Sequence, residues 1–191
     1  MNITVWSRFA GLAALAAALA GCAGHRHGGP EGGMHGHGGM ANMPSAMATV
    51  APTQGQTVSG MVGFHDMGGH VMVHARLSGL KPNAEHGFHV HEKGDCSAPD
   101  ATSAGGHFNP DNQPHGPQDG PRHAGDMPNL RADGSGNVDV RVMLRGVSVG
   151  TGGMSDVVGR SVVVHAQPDD YRSQPAGNSG ARVGCGVIAR R

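Results

Sequence analysis

The stretch GFHVHEKGDC, Gly87 to Cys96, sets two histidines one residue apart in a strand-like frame and follows them with a cysteine. Side chains of a strand alternate faces, and residues i and i+2 stand on one side roughly 6 to 7 Å apart. His89 and His91 can therefore converge on one atom, which is metal-ligand spacing. The competing reading is a strand whose solvated face happens to carry imidazoles. Upstream, Val71, Val73, Ala75 and Leu77 occupy one parity, and His70, Met72, His74 and Arg76 the other. That alternation is the signature of a half-buried strand, and it turns His70 and His74 to solvent. Similar segments run at 57–64, 85–91, 137–144, 160–166 and 182–189, and no segment is long and periodic enough for a stable helix. The pattern predicts an all-β chain, an antiparallel β-sandwich or flattened barrel with long loops at 92–130 and 167–181.

Composition narrows the function. Acidic and basic residues balance at 14 each, and only two lysines occur, Lys81 and Lys93. With no basic stripe and 3% aromatic residues, a nucleic-acid partner is excluded. The 14 histidines and 34 glycines are the anomalies, and histidine in excess in an exported chain points to metal.

Export is read from the N-terminus. The apolar run Phe9–Ala20 is too short to span a bilayer and has the length of a secretion-signal core. Leu19-Ala-Gly-Cys22 resembles a bacterial lipobox, so the expected mature chain begins at Cys22 and is held to a membrane by lipid. Plain cleavage at a small-residue site, with Cys22 incidental, is the alternative. The expected organisation is a signal peptide over 1–21, a flexible His/Met/Gly-rich tether over 22–45 and a folded domain over 46–191, in the periplasm or on the cell surface. Within the tether, His25, His27, His35 and His37 stand with Met34, Met40 and Met43, a donor set that suits copper or, through the histidines, zinc. It reads either as metal capture or as a solvated linker. Cys96 and Cys185 remain as a default disulfide in an oxidising compartment. It would close a loop of roughly 90 residues, for which chain entropy gives about 4 to 5 kcal/mol.

The first long loop holds GGHFNPDNQPHGPQDGPRHAGD, with His107, His115 and His123 at intervals of eight and Asp126 three residues further on. A loop this long and this poor in large apolar residues needs something to fold around. Three imidazoles and a carboxylate make a closed tetrahedral zinc site; a His-rich surface loop is the plainer reading. His165, at the end of VVVHAQPDD, can join His89 and His91. With one further imidazole these form an all-nitrogen tetragonal set, which is copper(II) geometry with a position left for a small ligand. A redox metal with an open position suggests electron exchange with a small oxygen species.

GFHVHEKGDCSAPDATSAGGHFNP, RHAGDMPNL, VVVHAQPDD and GNSGARVGCGVIA, in this order and at these separations, resemble copper/zinc superoxide dismutase over roughly Thr49 to Ala189. The resemblance implies an eight-stranded Greek-key β-sandwich, an architecture this family is known for. It implies copper on His89, His91, His107 and His165, zinc on His107, His115, His123 and Asp126, and His107 bridging the two as an imidazolate. Asp169 matches a carboxylate that orients His89 and His115, and Arg182 matches the arginine that positions the anionic substrate. Dismutation of superoxide to dioxygen and hydrogen peroxide follows, with a proton taken by His107 when its bridge to copper opens. The disulfide would help hold Arg182. The segment 170–181 carries no lysine and only Arg172, so steering falls to Lys93, Arg122 or Arg182. Subunit contacts differ between branches of the family, so the resemblance allows a homodimer without naming its interface. His65 has no assigned role, and strand parity puts His86 in solvent. The expected service is protection of the cell envelope from superoxide. A non-enzymatic metal-handling protein on the same fold is the alternative.

Overall fold

The computed structural model describes residues 45–191; the signal, the lipidated cysteine and nearly all of the tether read from the sequence lie outside the described residues. Nine strands and one 3-10 turn, Thr102–Ala104, make up the regular structure of the described residues. Three of them, β1 (Ser45–Pro52), β2 (Ser59–Asp66) and β3 (Val71–Ser78), form a meander in which each strand pairs antiparallel with the next. β4 (Glu85–His86) and β5 (Phe88–His91) follow, then β6 (Leu130–Arg131), β7 (Val138–Leu144), β8 (Ser161–His165) and β9 (Arg182–Arg190). The main sheet runs β5-β8-β9-β1-β2-β3-β7, so the chain crosses from one edge at β7 to the other side at β8 and returns through β9 to pair with β1.

The short β4–β6 pair closes this curl. β4 immediately precedes edge strand β5 and β6 lies ahead of edge strand β7, so pairing Glu85 with Arg131 and His86 with Leu130 ties the two edges together. The pair is two residues long and links the neighbourhoods of the two edges without pairing β5 to β7. The expected all-β Greek-key barrel is thus the observed architecture.

Alternation supplies the core. In β3 the pattern of buried Val71, Val73, Ala75 and Leu77 against outward Met72, His74 and Arg76 is as read from the sequence. His74 lies outward and is held by Asp139, 2.6 Å from its Nε2. β1 follows the same rule with smaller residues, Ala46, Ala48 and Val50 inward, which is why it escapes a search for branched and aromatic strand formers.

β5 and β8 depart from the half-buried pattern, and this departure makes the site. Every residue of both strands is buried. Phe88, Val90, Val162 and Val164 face the main core. Val163 faces the other way and packs with Ala101, Ala104 and Cys185 in a second small cluster, with half-buried Cys96 against it. His89, His91 and His165 share that outer parity, so they stand on the outside of the barrel wall, under the long loop that follows β5. The loop reaches the wall through isolated bridges between His89 and Asp126 and between His91 and His107.

The expectation for His86 is corrected here. It is 3% exposed: His86 shares the parity of Phe88 and Val90, and the face opposite His89 is the core face of this segment, not a solvated one. Gly87, between β4 and β5, is closely packed: a Cβ there would lie 2.7 Å from Ser179 Oγ. His86 Nδ1 lies 2.8 Å from the carbonyl oxygen of His165, joining the chain ahead of β5 to the last residue of β8.

Candidate metal centre

Two groups of potential ligands converge, each with its donor atoms within 4.8 Å of one another: His89, His91, His107 and His165, and His107, His115, His123 and Asp126. They are the two sets read from the sequence, and one ring, His107, belongs to both. All seven residues are buried.

The orientation of each ring is set from behind. His89 Nε2 lies 2.8 Å from Asp169 Oδ2, which leaves its Nδ1 for the site. His91 turns Nδ1 to the carbonyl of Gly105 at 3.0 Å and His165 turns Nδ1 to that of Gly180 at 3.3 Å. Their Nε2 atoms then meet 3.4 Å apart. His115 Nε2 lies 2.9 Å from Asp169 Oδ1, so one carboxylate fixes one ring of each group. Such outer partners select the tautomer and raise ligand basicity.

The donor set passes a direct test of fit to metal. His89 Nδ1 and His107 Nε2 are buried with no hydrogen-bond partner, and His115 Nδ1 and His123 Nδ1 approach only Asp126, without hydrogen-bond geometry. Buried polar atoms in native proteins are seldom left without a partner, and a cation at each group would supply one. In the second group, Asp126 oxygens lie 2.8 Å from His107 Nδ1, 3.0 Å from His115 Nδ1 and 3.4 Å from His123 Nδ1. Ligands on a tetrahedral zinc with bonds near 2.0 to 2.1 Å stand about 3.3 Å apart, so small outward shifts admit the ion.

Electrostatics agree with ligation. Burial lowers the His107 pKa to about 4 and that of His165 to about 3, and it drives His91 well below the ordinary range, helped by neighbouring imidazoles. These rings are neutral at physiological pH, the form that binds metal. Burial opposes charge on Asp126 and Asp169 as well. The histidines around each carboxylate outweigh it and hold both ionised, well below the usual carboxylate range. His115 is the exception among the rings: burial would lower it, yet Asp126 and Asp169 together push it up to about 9.

A cleft of about 470 Å³ opens over the first group, lined by His91, His107 and His165 and by Glu92, Ala176 and Arg182 among others. Of the three cations considered for steering, Arg182 lines this cleft and Lys93 and Arg122 do not. Its guanidinium donates through Nη1 to Ala101 O at 2.5 Å and through Nη2 to Gly105 O at 2.6 Å. Both carbonyls belong to the loop anchored by the Cys96–Cys185 disulfide, which the structure contains.

Several contributors escaped the sequence reading. Asn129 brackets Asp169, accepting from its N–H at 2.8 Å and donating to its carbonyl at 3.0 Å. Gln174 grips His115 in the same two-sided way, at its N–H and its carbonyl. Gly177, with φ of 64°, packs so tightly that a Cβ there would overlap Asp169 Oδ1. Amide pairs and backbone carbonyls carry no pattern that a single sequence displays.

The family model for copper/zinc superoxide dismutase matches residues 58–188. The chain is 43% identical over 148 residues to superoxide dismutase (Cu-Zn) 2 of Aquifex aeolicus, covering 75% of this chain and 85% of that one. Superoxide dismutase (Cu-Zn) 1 of the same organism is 47% identical over 123 residues, covering 62% and 72% respectively. Among solved structures, a SOD-like protein from Bacillus subtilis superposes with a TM-score of 0.66 at 39% identity, over 73% of this chain and 95% of that chain.

Proposed function

The chain belongs to the copper/zinc superoxide dismutase family, and from that premise we propose that it dismutates superoxide in the cell envelope. The observation that carries the reading is the pair of complete ligand groups joined through His107, with Arg182 at the cleft above the first. Copper is assigned to His89, His91, His107 and His165, and zinc to His107, His115, His123 and Asp126. Bound copper supplies the one-electron exchange that turns two superoxide anions and two protons into dioxygen and hydrogen peroxide, and zinc supplies positive charge beside the shared imidazole.

The protein's own residues do the rest. Arg182 is the cation lining the cleft, and its two bonds to loop carbonyls aim the guanidinium where an anion enters. His107 Nε2, buried and without a hydrogen-bond partner, is the atom placed to hold a proton and release it to reduced dioxygen, while its Nδ1 stays engaged on the Asp126 side. Asp169 keeps His89 and His115 in one orientation, so the two groups keep their geometry as charge changes. Electrostatic attraction through Arg182 acts on the encounter rate.

The envelope role rests on the sequence: the short apolar run, the lipobox-like Leu19-Ala-Gly-Cys22 and the disulfide-compatible cysteines. Replacing Cys22 with Ser should release the protein from membranes without changing its specific activity. Loading the full chain with zinc alone and then with copper tests the catalytic reading. Superoxide decay should accelerate only when copper is present, and equal decay in both forms would refute it. A metal-handling role on the same fold is the second reading, favoured by likeness to a protein named only as SOD-like; the intact first ligand group and Arg182 weigh for the enzyme.

A further inference from the structure

We propose a third metal site, for copper(I), on the outer face of the sheet around Gly63, formed by the thioethers of Met47 and Met61 and the imidazole of His65. It shares no residue with the two groups described above, and it does not rest on the dismutase reading.

Strand register brings the donors together. Met47 on β1 stands directly opposite Gly63 on β2, and Met61 and His65 flank Gly63 two residues away on the same face. Directly opposed residues have Cβ atoms about 4.5 to 5.5 Å apart and diagonal neighbours about 7 to 8 Å, within reach of long side chains. Glycine at the centre leaves the space between them open, a cavity of about 160 Å³ lined by Met47, Met61 and His65. The His65 ring leans into that space, its Nε2 3.1 Å from where a Gly63 Cβ would stand. His74, opposite Gly63 on β3, is already committed to Asp139 through Nε2.

The chemistry of the lining selects the ion. Two thioethers beside an imidazole make a sulfur-rich donor set, and the soft thioethers select copper(I). The side chains lining the cavity include no carboxylate, and two of them, Arg76 and Arg191, are cationic. Arg76 is balanced by Asp139, 3.8 Å away, so the preference for copper(I) over zinc and copper(II) rests on the two thioethers and not on charge. Met61 is 47% exposed, so its thioether is accessible to an arriving ion. Ser45, the first described residue and two after Met43 in the sequence, is in register with His65.

The test uses the full chain, already carrying copper and zinc in its paired groups, titrated without oxygen with copper(I) against a chromogenic copper(I) chelator. Binding is followed together with X-ray absorption at the copper edge. A background of Met34→Leu, Met40→Leu and Met43→Leu removes the thioethers that lie between His25 and Met43. In that background one further copper(I) should bind with sulfur in its shell. Adding Met47→Leu and Met61→Leu should abolish the sulfur signal and weaken binding at least tenfold. His65→Gln alone should weaken it at least tenfold while sulfur remains. The leucine replacements keep side-chain bulk at outward positions, so the fold is expected to persist, with circular dichroism as the check. Loss of the extra copper in the background alone, or sulfur and affinity unchanged by Met47→Leu and Met61→Leu, overturns the assignment.

Discussion

His91 and Arg182 share one acceptor: the carbonyl oxygen of Gly105 lies 3.0 Å from His91 Nδ1 and 2.6 Å from Arg182 Nη2. A ring of the first ligand group and the cation of the cleft are therefore set by the same backbone atom. That atom lies in the loop pinned by Cys96 to Cys185, whose strand also carries Arg182. A movement of this loop displaces both at once.

Opening the disulfide should therefore act on rate as well as stability. Cys96→Ser with Cys185→Ser is expected to cost about 2 to 5 kcal/mol of stability. It should also lower kcat/KM for superoxide at full copper occupancy. Denaturant melts and stopped-flow decay, compared at equal metal content, separate the two effects. Unchanged kcat/KM in the metallated variant would show that Arg182 does not depend on the loop.

Arg182→Lys keeps the charge and loses the planar fork that reaches Ala101 and Gly105 together. The expected loss in kcat/KM is about tenfold, from lost positioning at retained charge, with metal content unchanged. A lysine enzyme as fast as the wild type would mean that charge alone suffices.

Asp169→Asn removes the carboxylate that binds His89 and His115 from behind. Partners of this kind typically change metal affinity about 10- to 100-fold, and competition with a chelator should show a loss in that range at both groups. Gly177→Ala crowds Asp169 Oδ1 and forces an alanine into left-handed backbone, so it should shift affinity in the same direction.

Away from the metals, Asp156 supplies the pH dependence. Its carboxylate is buried and accepts N–H bonds from Gly150, Gly152 and Val158, at 2.9, 2.7 and 2.9 Å. Burial opposes ionisation, but these bonds outweigh it and set the pKa below the usual carboxylate value. A group with a lowered folded pKa contributes stability that is present above its unfolded pKa of about 3.9 and disappears as pH falls through the folded value. Asp156→Ala should thus cost about 1 to 3 kcal/mol at pH 7, and the gap to wild type should narrow below about pH 4. Thermal melts across that range provide the check, and a gap that widens in acid would contradict it.

The ligands themselves were legible because strand parity and loop spacing are written in residue types. His89 and His91 show one face of β5, and His107, His115, His123 and Asp126 show a donor spacing that suits an ion. β1 was less legible, since Ala46 and Ala48 are too small to signal a strand, and β6 is only two residues long. His86 was misread because the face opposite His89 was taken as solvated, whereas it is the core face that Phe88 and Val90 share. The carbonyls of Gly105 and Gly180 and the amides of Asn129 and Gln174 were invisible for another reason. They act through tertiary proximity, at separations from 14 to 59 residues, and any residue offers a carbonyl.

The central claim is that the group formed by His89, His91, His107 and His165 holds the metal at which superoxide is consumed. Its most direct test is the rate of superoxide decay per bound copper, measured for the metallated full chain and for His165→Ala loaded in the same way. The account predicts rapid decay in the wild type and loss of it in the variant, with zinc still bound. A fully metallated wild-type chain that leaves superoxide untouched, or a variant as fast as its parent, would contradict it.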